Sequence, residues 1–375
     1  MVGEEGSGEV NRDGGVREMK ILHVITGMRK AAGTSVFVAE LSNELVAKGH
    51  EVAIAVCNPE AKDVCPFDVR VKLIGIEEIE GRKFDVVHIH ALWSPVLHRV
   101  SKWAHKNKIP VVWSPHGMLQ KWALKNKWWK KALGLALYQW NDLKKANLLH
   151  ATAESEVEDI RRIGLKNKIV VAPLGVRVMR QGEPGMAITH STQNRTLLFV
   201  SRVQRKKGLP VLIDAWAKLP EDVKKGWKVR IVGPDQDNHT AELKAQCERL
   251  GVSENFTFTG PKYGDELDAE YRGADIFVLP THSENFGSVV IEALARSVPV
   301  ICSQGAPWKE LEEYGCGWWP KDSVEALEEA LKKSQALSPD ALQKMGEKGR
   351  RLVEEKYTWQ AVGESMIKAY KGIRQ

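Results

Sequence analysis

The chain has 375 residues, 43% of them hydrophobic and 27% charged, with a formal net charge of +7. That length allows two domains with separate cores, and no run of about 18 apolar residues predicts a membrane span. The charge suits a phosphate-bearing ligand, nucleic acid or an anionic membrane surface, and does not choose among them.

No charged n-region with an apolar h-region opens the sequence, so no secretory signal is expected. The cysteines Cys57, Cys65, Cys247, Cys302 and Cys316 are scattered, odd in number and without a C-x-x-C pair. They read as reduced thiols of a cytosolic protein without structural zinc. Residues 1–18 are Gly- and Glu-rich with almost nothing apolar, the composition of a disordered tail.

Residues 19–26 predict a buried strand. A loop with Gly27 and Gly33 follows, then an amphipathic helix carrying Val36, Val38, Leu41, Leu45 and Val46, stopped by Gly49. Such a unit can cradle phosphate on backbone N–H groups. It lacks G-x-G-x-x-G, so an ordinary dinucleotide fold is not expected. Further strands are predicted at 84–90, 111–114, 148–152 and 169–174. His88 and His90 alternate with apolar residues, so at least one of them should point inward to a structural partner. His116, in P-H-G-M-L after a strand, is by itself most simply a loop or core histidine.

Residues 119–145 interleave Lys121, Lys125, Lys127, Lys130 and Lys131 with Trp122, Trp128 and Trp129. This composition suits an anionic membrane surface around 121–131. A helix that buries its aromatics and snorkels its lysines reads as well. No nucleic-acid-binding motif accompanies the charge, so nucleic acid is not an expected partner.

Residues 175–195 are rich in Gly, Pro, Ser and Thr and predict an interdomain linker. The strand–helix alternation then restarts, giving a first domain over 19–180 and a second over 195–356. After a strand at 196–200 comes the basic loop S-R-V-Q-R-K-K-G-L, either a solvated charge run or a diphosphate clamp with Arg202 and Lys207. Strands at 228–232 and 255–259 end in Gly233-Pro234 and Gly260-Pro261. Asp235-Gln236-Asp237 is a D-x-D, a pattern that arises often by chance.

The strand Ile276-Phe277-Val278-Leu279 ends at Pro280, and the loop T-H-S-E-N-F-G leads into a helix over 288–296. In open α/β sheets ligands bind at such strand ends, and a helix N-terminus attracts anionic groups. Glu284 and Glu292, eight positions apart, can face one crevice. Taken alone, Glu284 is an ordinary first-turn acid and Glu292 a solvated helix residue.

Four strings together carry a resemblance: G-H-E-V at 49–52, P-H-G-M-L at 115–119, R-x4-K-G at 202–208, and T-H-S-E-N-F-G-S-V-V-I-E at 281–292. Over residues 19–372 the chain resembles the retaining glycosyltransferases of family 4, whose signature is this E-x7-E. The resemblance implies an α/β chain of GT-B fold, two Rossmann-like parallel-sheet domains facing across a cleft. It implies an N-terminal acceptor domain, a C-terminal donor-nucleotide domain, and a final helix over 357–375 packing back on the first. It implies transfer of a sugar from a nucleotide-sugar donor to a glycan or lipid-linked acceptor at the inner face of the cell membrane. The strings P-H-G-M-L and W-A-L resemble those of bacterial surface-polysaccharide and lipopolysaccharide enzymes.

Carried over by position, His116 lies near the transferred sugar, and Glu284 with the backbone of Asn285, Phe286 and Gly287 grips the donor sugar. Glu292 holds the ribose hydroxyls, Arg202 and Lys207 stabilise the leaving diphosphate, and Gly33 approaches the donor. The family commonly has two glycines in that last loop; here Ala32 precedes Gly33. No catalytic metal or cofactor is implied, because Arg202 and Lys207 supply the charge. A nucleotide-sugar epimerase or hydrolase of similar fold, and a non-catalytic binding module, are the rival readings. The epimerase needs its own acid/base carboxylates, and the module needs no Arg202/Lys207 clamp.

Overall fold

The computed structural model describes residues 18–29, 33–61, 64–125, 128–178 and 194–374. The expected tail up to residue 17, most of the expected linker (179–193), Ala32 and Lys127 lie outside these residues.

Two parallel sheets form. The first has the strands β1 (Lys20–Val24), β2 (Glu51–Val56), β3 (Lys72–Gly75), β4 (Val86–His90), β5 (Val111–Ser114), β6 (Leu148–Ala151) and β7 (Ile169–Val171), in the order β3-β2-β1-β4-β5-β6-β7. The second has β8 (Arg195–Val200), β9 (Trp227–Val232), β10 (Phe256–Gly260), β11 (Ile276–Leu279), β12 (Val300–Cys302) and β13 (Gly317–Trp318), in the order β10-β9-β8-β11-β12-β13. Strands such as Ile276–Leu279 are buried at every position, as expected where helices cover both faces of a parallel sheet. In each sheet the winding reverses next to its first strand, between β1 and β4 and between β8 and β11. That reversal opens the ligand crevice of doubly wound folds.

By packing, the described residues of 18–114, 129–149 and 367–374 form one compact unit, and those of 115–128 and 150–366 form the other. In the first unit, β1 and β4 place His23 beside His88 in register. Both these histidines and His90 are fully buried, so both histidines of β4 point inward where the alternation required one. His88 meets the Tyr370 hydroxyl at 2.7 Å through Nδ1 and the Ser114 hydroxyl at 2.6 Å through Nε2, while His23 and His90 are joined at 2.9 Å. Tyr370 lies on the last helix, Trp359–Lys371.

The second unit includes the segment 115–128 because its loop is tied to the helix Glu154–Arg162. Gly117 N–H donates to Glu156 Oε1 at 2.5 Å, and Arg162 Nη2 donates to the Leu119 carbonyl at 2.8 Å.

Candidate active site

The loop after β8 and the loop after β11 meet through backbone. A 3-10 turn, Arg205–Lys207, is closed by Gly208 at φ +70°. A Cβ on Gly208 would lie 1.8 Å from the Pro280 carbonyl oxygen, so glycine alone allows this approach. The Lys206 carbonyl then accepts from His282 N–H at 3.0 Å and from the Thr281 hydroxyl at 3.1 Å. From the other side, Gly305 lies so close that a Cβ there would be 2.0 Å from the Thr281 carbonyl oxygen. Its own carbonyl accepts from Glu284 N–H at 2.7 Å.

These contacts bring Lys207 Nζ onto Glu284 Oε1 as an ion pair whose side chains are 10% and 14% exposed. A pair this buried contributes little net stability, because desolvation offsets attraction. It does hold a fixed cation and a fixed carboxylate at the sheet's reversal point. Trp308 Nε1 donates to the Phe286 carbonyl at 2.6 Å, and Gly287 at φ +81° opens the helix Ser288–Ala295.

A second network holds Asn285. Its Nδ2 donates to Thr152 Oγ1 at 2.7 Å, and Thr152 donates through its hydroxyl (2.9 Å) and its N–H (2.8 Å) to Glu156 Oε2. Gly117, at φ +74°, leaves room for Asn285, whose Cγ would be 2.9 Å from a Cβ there. Burial pushes the Glu156 carboxyl up, against the hydrogen bonds from Thr152 and Gly117 that pull it down. Gln120 reaches the Asn285 side chain at 3.3 Å and accepts from Trp122 Nε1 at 2.5 Å. The Trp122 ring in turn lies under Lys206, with Nζ 4.3 Å from the ring centroid. Burial pulls Lys206 below the ordinary lysine value; Glu284 opposes this, and Lys207 and Arg202 add to it.

Of the residues expected at the site, Lys207, Glu284, Asn285, Phe286 and Gly287 are brought together, with the His116–Gly117 turn beside Asn285. His116 itself sits at φ +51°, a left-handed position rare outside glycine. Burial, with His150 edge-on at 6.3 Å between ring centroids, lowers its pKa to about 3, so the imidazole is neutral at physiological pH. Arg202 is exposed and donates to Gln236 Oε1 at 3.3 Å. Glu292 accepts from the Tyr271 hydroxyl at 2.9 Å, and Arg296 covers the Tyr271 ring at 5.0 Å. Burial and Glu292 hold Tyr271 well above its ordinary value, so it stays a phenol donor. Gly33 begins the helix Gly33–Ala47 in the other unit, where a Cβ would meet nothing within 4 Å. In the D-x-D, Asp235 accepts from Thr240 N–H at 3.1 Å, and Asp237 sits at φ +60°, so both shape the turn before the helix His239–Arg249.

The sequence reading missed Lys206, Gln120, Thr152, Glu156 and Tyr271. Glu156, between Ser155 and Val157 in a run of acids, carried no local signal that sets it apart from Glu154 and Glu158. The others are positioned by residues distant in sequence.

Two doubly wound parallel sheets, the second with a cation–carboxylate pair at its reversal point, have the architecture of the GT-B fold. Residues 31–180 match the model described as Glycosyltransferase Family 4, and residues 187–352 match that for glycosyl transferases group 1. The chain belongs to the family 4 glycosyltransferases and is an enzyme that transfers glycosyl groups.

Among relatives, a D-inositol 3-phosphate glycosyltransferase of Segniliparus rotundus is 28% identical over 217 residues, 54% of this chain and 47% of that protein. The match thus spans about half of that relative's length. The solved structure of Anabaena HepE in complex with UDP is similar with a TM-score of 0.75 at 14% identity, covering 94% of this chain and 100% of that one. That of WaaG, a glycosyltransferase involved in lipopolysaccharide biosynthesis, is similar with a TM-score of 0.68 at 18% identity, covering 94% and 99%. At such identities the likeness shows the fold.

Proposed function

We propose that the chain moves a sugar, with retention, from a nucleotide-sugar donor to a glycan or lipid-linked acceptor in surface-polysaccharide assembly. The observation that carries this reading is the buried Lys207–Glu284 pair at the reversal point, with Lys206 and Arg202 in its electrostatic neighbourhood. A diphosphate leaving group accumulates negative charge as the glycosidic bond breaks, and fixed cations in a desolvated site stabilise that charge. Lys207 and Arg202 supply it here in place of a divalent ion. Glu284 and the Asn285–Gly287 backbone hold the donor sugar. Glu292, aimed by Tyr271, takes the ribose hydroxyls, and neutral His116 offers a hydrogen bond to the sugar. A UDP complex of a protein with this fold and the lipopolysaccharide role of another support the donor class and the pathway.

The test is a thermal-shift screen of UDP, GDP, ADP and TDP, followed by turnover of the matching nucleotide sugars with and without EDTA. One diphosphate at 100 times its Kd should stabilise the protein by about 2.7 kcal/mol. Chelator should leave the rate unchanged. Response to none of the four diphosphates sinks the reading, and loss of turnover in EDTA sinks the metal-free mechanism.

We also propose that residues 121–131, with the exposed Leu133 and Leu137 that follow, rest on an anionic membrane surface, which would bring the enzyme to a lipid-linked acceptor. No helix among the described residues is long and apolar enough to cross a membrane. Trp129, Leu133 and Leu137, spaced by four, are 57%, 55% and 70% exposed, so these apolar side chains are not buried in the domain. Lys130 lies over the Trp129 ring at 5.1 Å, and Lys125 is exposed. Each lysine near such a surface contributes about 1 kcal/mol, screened by salt. Replacing Lys125, Lys127, Lys130 and Lys131 by Gln should abolish co-sedimentation with phosphatidylserine vesicles at low salt. Wild-type protein that ignores these vesicles refutes the contact.

A further inference from the structure

A cavity of about 710 Å³ opens within the second unit, on the side of Glu284 formed by the loop after β12 and the helix Glu154–Arg162. Of the groups in the donor reading, only Glu284 and Phe286 reach it. Its walls carry three rings, Phe286, Trp319 and Tyr357. Two of the rings are fixed in orientation: Trp319 Nε1 donates to the Ala306 carbonyl at 2.8 Å, and the Tyr357 hydroxyl donates to Glu310.

The polar lining is dominated by carboxylates. Glu154 and Glu158 stand one turn apart and exposed on one helix, while Glu284 and Glu310 line other walls. The two lysines at the cavity are already engaged, Lys356 with Glu310 at 2.6 Å and Lys309 with Glu313 at 2.9 Å. Phe286 and Tyr357 are buried against Trp308, so the half-buried Trp319 is the ring that suits the C–H face of a pyranose, and carboxylates accept hydrogen bonds from its hydroxyls. Glu284 and Glu310 are ion-paired with Lys207 and Lys356, so it is Glu154 and Glu158 that repel a phosphate or a uronate.

From this juxtaposition we infer that the cavity is the acceptor-side saccharide subsite, and that it takes a neutral or amino sugar and rejects an acidic one. The inference deepens the transferase reading and rests on it, since Glu284 would stand between this sugar and the donor. It narrows the acceptor to a glycan whose accepting end carries no phosphate or carboxylate.

The experiment is saturation-transfer NMR on the full chain with methyl glycosides of glucose, galactose, mannose, glucosamine and glucuronic acid. At least one neutral or amino glycoside should bind, with ring C–H protons receiving the transfer. The glucuronide should bind about tenfold more weakly than its glucoside. Trp319→Leu should weaken the bound glycoside about fivefold. Because that variant loses a hydrogen bond inside the fold, Glu154→Gln/Glu158→Gln is the independent test. It should bring glucuronide affinity to within about threefold of the glucoside.

Equal binding of glucoside and glucuronide by the wild type overturns the proposal, as does binding of none of the five. So does a double variant that discriminates as the wild type does. UDP thermal stabilisation, read on the same sample, separates the two readings. If it persists while the glycosides fail, the subsite is wrong and the transferase stands; if it is absent, the transferase reading fails first.

Discussion

Replacing Lys207 by Ala should lower kcat about 10²- to 10³-fold while KM changes little. Removal of one group that stabilises developing charge has that magnitude elsewhere. Lys207 meets charge that grows as the diphosphate leaves, so its interaction is stronger in the transition state than in the ground state. The substitution also leaves Glu284, 14% exposed, without its cation. Stripping one partner from a buried pair costs about 3–5 kcal/mol, so the melting temperature should fall as well. Lys207→Met/Glu284→Leu separates the effects: stability should return toward wild type, and turnover should not. A Lys207→Ala enzyme with wild-type kcat removes Lys207 from the mechanism.

The second large effect is expected at Gly208→Ala. The added methyl would lie 1.8 Å from the Pro280 carbonyl oxygen on a backbone at φ +70°. Left-handed strain alone costs about 1–2 kcal/mol, and the backbone collision adds to it. A total of about 3 kcal/mol or more should lower the melting temperature by about 6 °C or more. Gly251 is the control, with φ +68° and nothing within 4 Å of a Cβ. Gly251→Ala should show the strain without the collision. Equal melting temperatures for the two variants would mean that the loop after β8 does not need its close seat on β11. Turnover should fall further in Gly208→Ala, because the collision displaces Lys207.

Much of the fold was legible because buried parallel strands are continuous apolar runs: Ile276–Leu279 and Val111–Ser114 appear in the sequence almost as they do in the sheets. The order of those strands was not legible, since it depends on pairing between segments far apart. At the site, Lys207 and Glu284 were readable through motif context alone. Nothing local distinguishes Lys207 from Lys206, which differs by facing Trp122. Glu156 looked like one more solvated acid in A-E-S-E-V-E-D-I, yet it is fully buried and orders both the P-H-G turn and Thr152. Composition groups Trp122 with the membrane-facing aromatics. Its indole N–H and ring face are both engaged by Gln120 and Lys206, which composition cannot reveal.

The two glycines that flank the Pro280–Thr281 peptide have a mechanical consequence. Gly208 presses on one carbonyl and Gly305 on the next, each at a distance no side chain would allow. The end of β11 is therefore clamped from both sides: the cationic loop that carries Lys207 and the Gly305 loop that walls the 710 Å³ cavity are seated on consecutive carbonyls of one strand end.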